Sequence, residues 1–290
     1  MDMTPGPDGA LYVIQPEWVR VVRGDRVETL AGGGHSSADG PVGSVGFSGL
    51  SAIAVAVDGR IFVAQPTRVR VVHDGQVETV AGAAQGGYID GAALEARFTS
   101  IRDIALAADG SMLIADGLRI RRLKDGAVST IAGSGETGET KIQDGPALEA
   151  RIGSAHALEI VGNRVYFTDT MTVRVLENDQ VTTLAGAAWS GAAPPLRDGP
   201  AAKAVFSSDL RAVAVHGEAV YVSDASPSNN RIRVITAGQV SSLTNGVQGL
   251  EDGPLSQARF DSPGALVADD HGNLYVSDVN NCRVRWIELH

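Results

Sequence analysis

An Asp-Gly pair returns along this chain at Asp39-Gly40, Asp90-Gly91, Asp144-Gly145, Asp198-Gly199 and Asp252-Gly253, in steps of 51, 54, 54 and 54 residues. A fixed period of that size marks a repeat architecture and restricts the fold more than composition can. Seven residues after each glycine stands an apolar anchor: Phe47, Phe98, Ile152, Phe206 and Phe260. Two short β-branched stretches follow, separated by a turn, as in Ala52-Ile53-Ala54-Val55 and Ile61-Phe62-Val63 around Asp58-Gly59. A third stretch centres on an arginine (Arg20, Arg70, Arg121, Arg174, Arg233, Arg285), flanked by apolar residues in most copies. That alternation is the sign of a half-buried strand. A fourth stretch ends in Leu30-Ala31-Gly32, Val80-Ala81-Gly82, Ile131-Ala132-Gly133 or Leu184-Ala185-Gly186, with Leu243-Thr244-Asn245 as a degenerate copy. The 35 glycines suit a chain full of tight turns.

Four short strands per unit, here termed a to d, predict an all-β six-bladed propeller of four-stranded antiparallel blades, with five blades as the alternative count. A lone sheet cannot bury both faces, so each must stack on its neighbours. The first blade is read from Met1 to Gly32 and the last ends after strand c at Arg283–Ile287, so the last blade is expected to lack its outer strand. Such an edge is open to pairing with another strand. Residues 1–290 are read as a single domain, excised from a longer protein.

The Asp-Gly-x6-Phe spacing, the Leu-Ala-Gly ending and Tyr275-Val276-Ser277-Asp278 together resemble the NHL-repeat family over nearly the whole chain. The resemblance implies a propeller used as a platform for protein recognition; it implies no reaction.

The recurring arginines and Asp-Gly pairs are expected to be architectural, because every unit has them. In four units a carboxylate or amide precedes the arginine by five residues (Gln15, Gln65, Asp116, Asp169), and Asp224 and Asp278 hold that place in the other two. The Asp-Gly pairs are expected to be turn devices, Asp bonding its own backbone. Position-by-position comparison at the start of strand a gives Ser51, Arg102, His156, Arg211 and Gly264. In a propeller this position opens on the central channel, so Arg102 and Arg211, with His156 between them, are the expected ligand-binding residues for a carboxylate, phosphate or acidic side chain. An arginine fork suits oxyanions. Trp189, in the longest link between units (187–197), is the expected anchor beside them. The long loop Ala225–Asn230 is expected to flank the same place. Glu159 replaces the Ala or Val of its counterparts on strand a and is the fifth candidate, expected to form a salt bridge with His156, Arg102 or Arg211.

The expected function is therefore non-catalytic binding of a protein or peptide, with no cofactor and no catalytic residue. The rivals are a hydrolase or lyase holding a divalent metal in the channel through Glu159 and His156, and a structural spacer. No two histidines have the close spacing of a metal motif. Net charge −10 disfavours a nucleic-acid partner. No apolar run is long enough to span a membrane, and the first residues lack the pattern of a signal peptide. The lone Cys282 excludes an internal disulfide and is expected to be a partly buried thiol.

Overall fold

A computed structural model describes residues 1–136, 142–187, 195–226 and 229–289. Among these, regular structure is antiparallel strand throughout, apart from a single 3-10 turn at Ala201–Lys203. No helix is long and apolar enough to cross a membrane. The strands form six sheets, as the period requires, and not five. The four-strand count is wrong for most of them: sheets 2–5 have five strands, sheet 1 has four and sheet 6 has three. The added strand is the dipeptide that begins at the Asp-Gly glycine. In sheet 2, Gly40 and Pro41 pair with Val77 and Gln76 of strand d. Gly91, Gly145 and Gly199 begin the same pairing in the next three sheets. The glycines there adopt positive φ, 124° to 154°. Among the described residues sheet 6 consists of strands a to c, the last being Arg283–Ile287.

Two compact units contain these sheets, Met1–Ile131 with sheets 1–3 and Ala132–His290 with sheets 4–6. In the first unit, Tyr12, Ile14, Val19 and Val21 of sheet 1 pack with Phe47, Ile53 and Val63 of sheet 2. The other face of sheet 2, through Phe62 and Val71, packs with Phe98, Ile104 and Ile114 of sheet 3. In the second unit Val173 of sheet 4 meets Phe206, Val213 and Val222 of sheet 5, and Ala212 and Ile232 of sheet 5 meet Phe260, Leu266 and Val276 of sheet 6. Phe47, Phe98, Phe206 and Phe260, each seven residues beyond its Asp-Gly, thus lie in the layers between successive sheets of one unit. Burial of one such phenylalanine is worth about 2–3 kcal/mol.

The Leu-Ala-Gly ending has a steric cause. Ala31, Ala81, Ala132 and Ala185 are buried, and the following glycine crosses the b–c turn of its own sheet. A Cβ on Gly82 would lie 2.4 Å from the Thr67 carbonyl oxygen, at a φ of +84°. In sheet 5 the motif is shifted rather than lost: Gly246, after Asn245, makes the same approach to the Asn229 carbonyl. Gly82→Ala is expected to destabilise the protein by about 1–2 kcal/mol, because both the contact and the φ oppose a side chain. A urea-unfolding midpoint unchanged by this substitution would refute the steric account.

Candidate functional site

The repeated arginines of sheets 3–6 are fixed inside the sheets by carboxylates from two places in the chain. Arg121 donates from Nη1 to Asp116 Oδ2 at 3.1 Å, and Nε donates to Asp90 Oδ1 at 2.8 Å. Arg174 is held by Asp169 at 2.9 Å and Asp144 at 2.8 Å, and Arg233 by Asp224 at 3.2 Å and Asp198 at 2.5 Å. Each guanidinium also bonds main-chain carbonyls, as Arg174 does Arg151 and Gln143. Below it lies an aromatic ring, with Arg121 5.1 Å from the centre of Phe98 and Arg233 4.6 Å from that of Phe206. The strand-b aspartates Asp116, Asp169, Asp224 and Asp278 match the sequence expectation. The Asp-Gly aspartates do not. Instead of bonding their own backbone, Asp39, Asp90, Asp144 and Asp198 bond the arginine and the Thr or Ser of strand d, and Asp252 bonds Arg285. Asp39, for example, accepts from Arg70 at 2.8 Å and from the Thr79 N–H at 2.8 Å. Gln65 takes the place of the strand-b aspartate in sheet 2 and, contrary to expectation, bonds Ser48 and Arg68 rather than Arg70. Arg70 Nη1 is left buried without a hydrogen-bond partner there. In sheets 3–5 these groups are consumed by the architecture.

The start of strand a differs. In sheet 3 the a–b register shifts between Ile101 and Asp103, so Arg102 is the extra residue of a β-bulge. The same shift sets His156 between Ala155 and Ala157 in sheet 4, and Arg211 between Leu210 and Ala212 in sheet 5. Sheet 2 pairs without a bulge across Ala52–Val55. A bulge bends the strand and re-aims one side chain away from the alternating faces. All three basic residues singled out in the sequence therefore occupy an irregular backbone position, which the sequence does not display.

Within the second unit, two of them are linked. His156 Nδ1 donates to the Leu210 carbonyl at 3.1 Å. A carbonyl only accepts, so this bond requires the proton on Nδ1. Arg211, next in the chain, pairs with Asp209 at 2.7 Å and also bonds Ser262 Oγ. The Ser262 N–H donates to Asn230 Oδ1 at 2.7 Å, which ties in the loop between strands b and c of sheet 5. Of these only Ser262 is new to the sequence reading: Asp209, two residues before Arg211, is the partner the sequence allows for it, and Asn230 ends the loop expected to flank the site. In the first unit Arg102 is exposed. Among the described residues it makes no hydrogen bond or ion pair. Trp189 lies outside the described residues.

Glu159, later on strand a of sheet 4, pairs across the ladder with Tyr166. Burial pushes its carboxyl up from an ordinary 4.5 to about 7. It forms no salt bridge with a described residue. Among the described residues, no three His, Cys, Asp or Glu side chains gather as a metal site would require. Cys282 is exposed rather than partly buried, because it sits in the b–c turn of sheet 6 at a φ of 54°.

Sheets of this build, with the same arginine lock repeated in sheets 3–6, define the chain as an NHL-repeat β-propeller protein. Residues 84–288 match the family model of the teneurin NHL domain, and the chain belongs to that family. It is 27% identical over 224 residues to human Teneurin-4 and 26% identical over 224 residues to zebrafish (Danio rerio) Teneurin-3. Each match covers 68% of this chain but only 8% of the relative, so the chain spans less than a tenth of these curated relatives. Among solved structures, an auxiliary nutrient binding protein from Bacteroides ovatus shares the fold with a TM-score of 0.70 at 15% identity, over 99% of this chain and 68% of that one. A streptogramin B lyase shares it with a TM-score of 0.57 at 12% identity, over 100% of this chain and 82% of that one.

Proposed function

We propose that this chain is a non-catalytic recognition module that holds an anionic group of a protein or peptide at the bulged starts of its a strands. The observation that carries the proposal is the placement of Arg102, His156 and Arg211 each as the extra residue of a β-bulge at the same point of its sheet. A side chain held in a bulge is released from the packing that fixes the other arginines. Arg211 is pre-oriented by Asp209 and Ser262. Pre-orientation lowers the entropy lost when a carboxylate binds. Arg102 brings an exposed guanidinium to its own sheet. Membership in the teneurin NHL family supports a binding role, and the Arg–Asp locks leave little else on the sheets for chemistry.

A fluorescein-labelled tetraglutamate peptide tests this reading by anisotropy at low salt, with tetraglutamine as the control. Arg102→Ala and Arg211→Ala are each expected to weaken binding about tenfold, the loss of one charge-assisted contact. Arg102→Ala is the cleaner arm, since Arg102 supports no other group. Equal affinity of wild type and both variants, or equal binding of the glutamine peptide, would remove Arg102 and Arg211 as anion-holding residues of their own sheets.

A further inference from the structure

The two bulge arginines present different charges to a ligand. Arg102 is exposed, and with no ion pair among the described residues it offers a full positive charge. Arg211 is already matched. Asp209 Oδ2 accepts from its Nη2 at 2.7 Å, and its Nε lies 3.1 Å from each Asp209 oxygen. Opposite charges that close largely cancel as felt by a third group. A second carboxylate stands nearby. Asp261 precedes Ser262, whose Oγ accepts from Arg211 Nη1. Gln248 and Asn280 bond the Asp261 oxygens, at 3.0 Å each. Both are neutral amides, and among the described residues no cation pairs with Asp261. Two carboxylates thus accompany one guanidinium, so a purely acidic ligand gains less at Arg211 than at Arg102.

The pair keeps capacity to bind. In the locks of sheets 3–5 the arginine and its strand-b aspartate are both buried. Here the Arg211 side chain is 36% exposed and that of Asp209 29%. A guanidinium carries five N–H groups. Nε and one N–H of Nη2 go to Asp209 and one N–H of Nη1 goes to Ser262, which leaves one on each terminal nitrogen. On the acid, Asp209 Oδ1 takes only the bond it shares from Nε, so it has a lone pair to spare. Spare donors and a spare acceptor therefore lie side by side. Their support is rigid. Ser262 has a φ of 61° and Asn230 one of 37°, both left-handed. Serine seldom adopts that region, and strain of this kind persists where the surroundings over-determine the backbone, ligand clamps among them. The Ser262 N–H bond to Asn230 Oδ1, at 2.7 Å, fixes the two together.

We infer that the sheet 5 bulge recognises a carboxylate with a cation beside it, the glutamate or aspartate of a partner peptide next to a lysine or arginine. The carboxylate meets the two remaining N–H groups of Arg211, and the cation meets Asp209 Oδ1. The ligand's cation offsets the repulsion of its acid by Asp209 and Asp261. This inference rests on the reading of the bulged residues as ligand-holding and adds the charge pattern: acid alone at Arg102, acid with base at Arg211.

Two peptides, N-terminally labelled with fluorescein and C-terminally amidated, are the probes: tetraglutamate and Glu-Lys-Glu-Lys. They are titrated at low salt against the full chain carrying Arg102→Ala, which removes binding at the other arginine. A chain of net charge −10 favours any less acidic peptide, so the deciding quantity is how the ratio of the two affinities changes on substitution. Asp209→Asn keeps the shape and removes the charge. It is expected to lower the preference for the lysine peptide about threefold, the worth of one partly exposed ion pair. Asp270→Asn, which removes an exposed carboxylate from the a–b turn of sheet 6, is expected to leave the ratio as it was. Both peptides meet the same protein sample, so a folding defect shifts the two affinities together and not their ratio. An unchanged ratio in Asp209→Asn, or an equal change in both variants, overturns the inference, and Arg211-dependent binding of tetraglutamate would then leave the anion reading standing. If Arg211→Ala alters the affinity of neither peptide, both readings of Arg211 fall.

Discussion

Asp116→Ala is expected to cost about 3–5 kcal/mol of stability, whereas Asp90→Ala, on the same arginine, is expected to cost about 1 kcal/mol. Both carboxylates bond Arg121. Their surroundings differ: Asp116 has no exposure, and the Asp90 side chain is 46% exposed. Removing Asp116 leaves a buried guanidinium short of one counter-charge, with water unable to reach it. It also strands the N–H groups of Thr99 and Ser100, which donate to Asp116 Oδ1 at 2.8 and 2.9 Å. Removing Asp90 exposes its partners at the sheet rim, where solvent replaces most of what is lost. Sheet 2 offers an internal comparison, because Gln65 there leaves Arg70 with Asp39 as its one carboxylate. One guanidinium with a single carboxylate is tolerated when its surroundings have adapted, and abrupt removal in sheet 3 has no such adaptation. Urea unfolding of the two variants measures the difference. Equal losses would mean that burial does not set the strength of these locks.

What the sequence displays and what it conceals follow from the range of each interaction. Strands a to d are legible because period-2 alternation and the turns between them are local. The fifth strand of sheets 2–5 is not: two residues carry no alternation, and Gly40 pairs with Val77 far along the chain. The second partner of each arginine was hidden for the same reason, since Arg70 and Asp39 are 31 residues apart. Comparison of equivalent positions did isolate Arg102, His156 and Arg211, because a basic residue among Ser51 and Gly264 breaks the repeat. It could not show that each sits in a bulge, which is a property of pairing and not of residue type. Asp209 is close enough in sequence to be read as a partner of Arg211, but Ser262, 51 residues away, is not. Glu159 was conspicuous as an acid among Ala and Val, but the ion pair expected for it does not form with any described residue.

That unrelieved carboxyl leads to the second large effect. Glu159→Gln is expected to stabilise the protein by about 3 kcal/mol at pH 8 and by little at pH 4. The sign follows from proton binding. Unfolded, the carboxyl releases its proton near its ordinary 4.5; folded, burial holds the proton up to about 7. Between those values the folded state binds more protons than the unfolded one, so stability falls as pH rises. Below about 4.5 both states are protonated and the residue costs little; above about 7 both are ionised and the full penalty of a buried charge is present. Glutamine keeps the shape and removes the ionisation. Asp2 contributes a slope of the same sign, since burial raises its carboxyl to about 6 even though the Ile53 N–H donates to it at 2.9 Å. The wild-type curve therefore contains both groups, and the difference between wild type and Glu159→Gln isolates one. Unfolding free energies for the two proteins, taken from pH 4 to 8, should diverge progressively between pH 4.5 and 7. Parallel curves across that range would mean that solvent reaches Glu159 and that strand a of sheet 4 carries no buried charge.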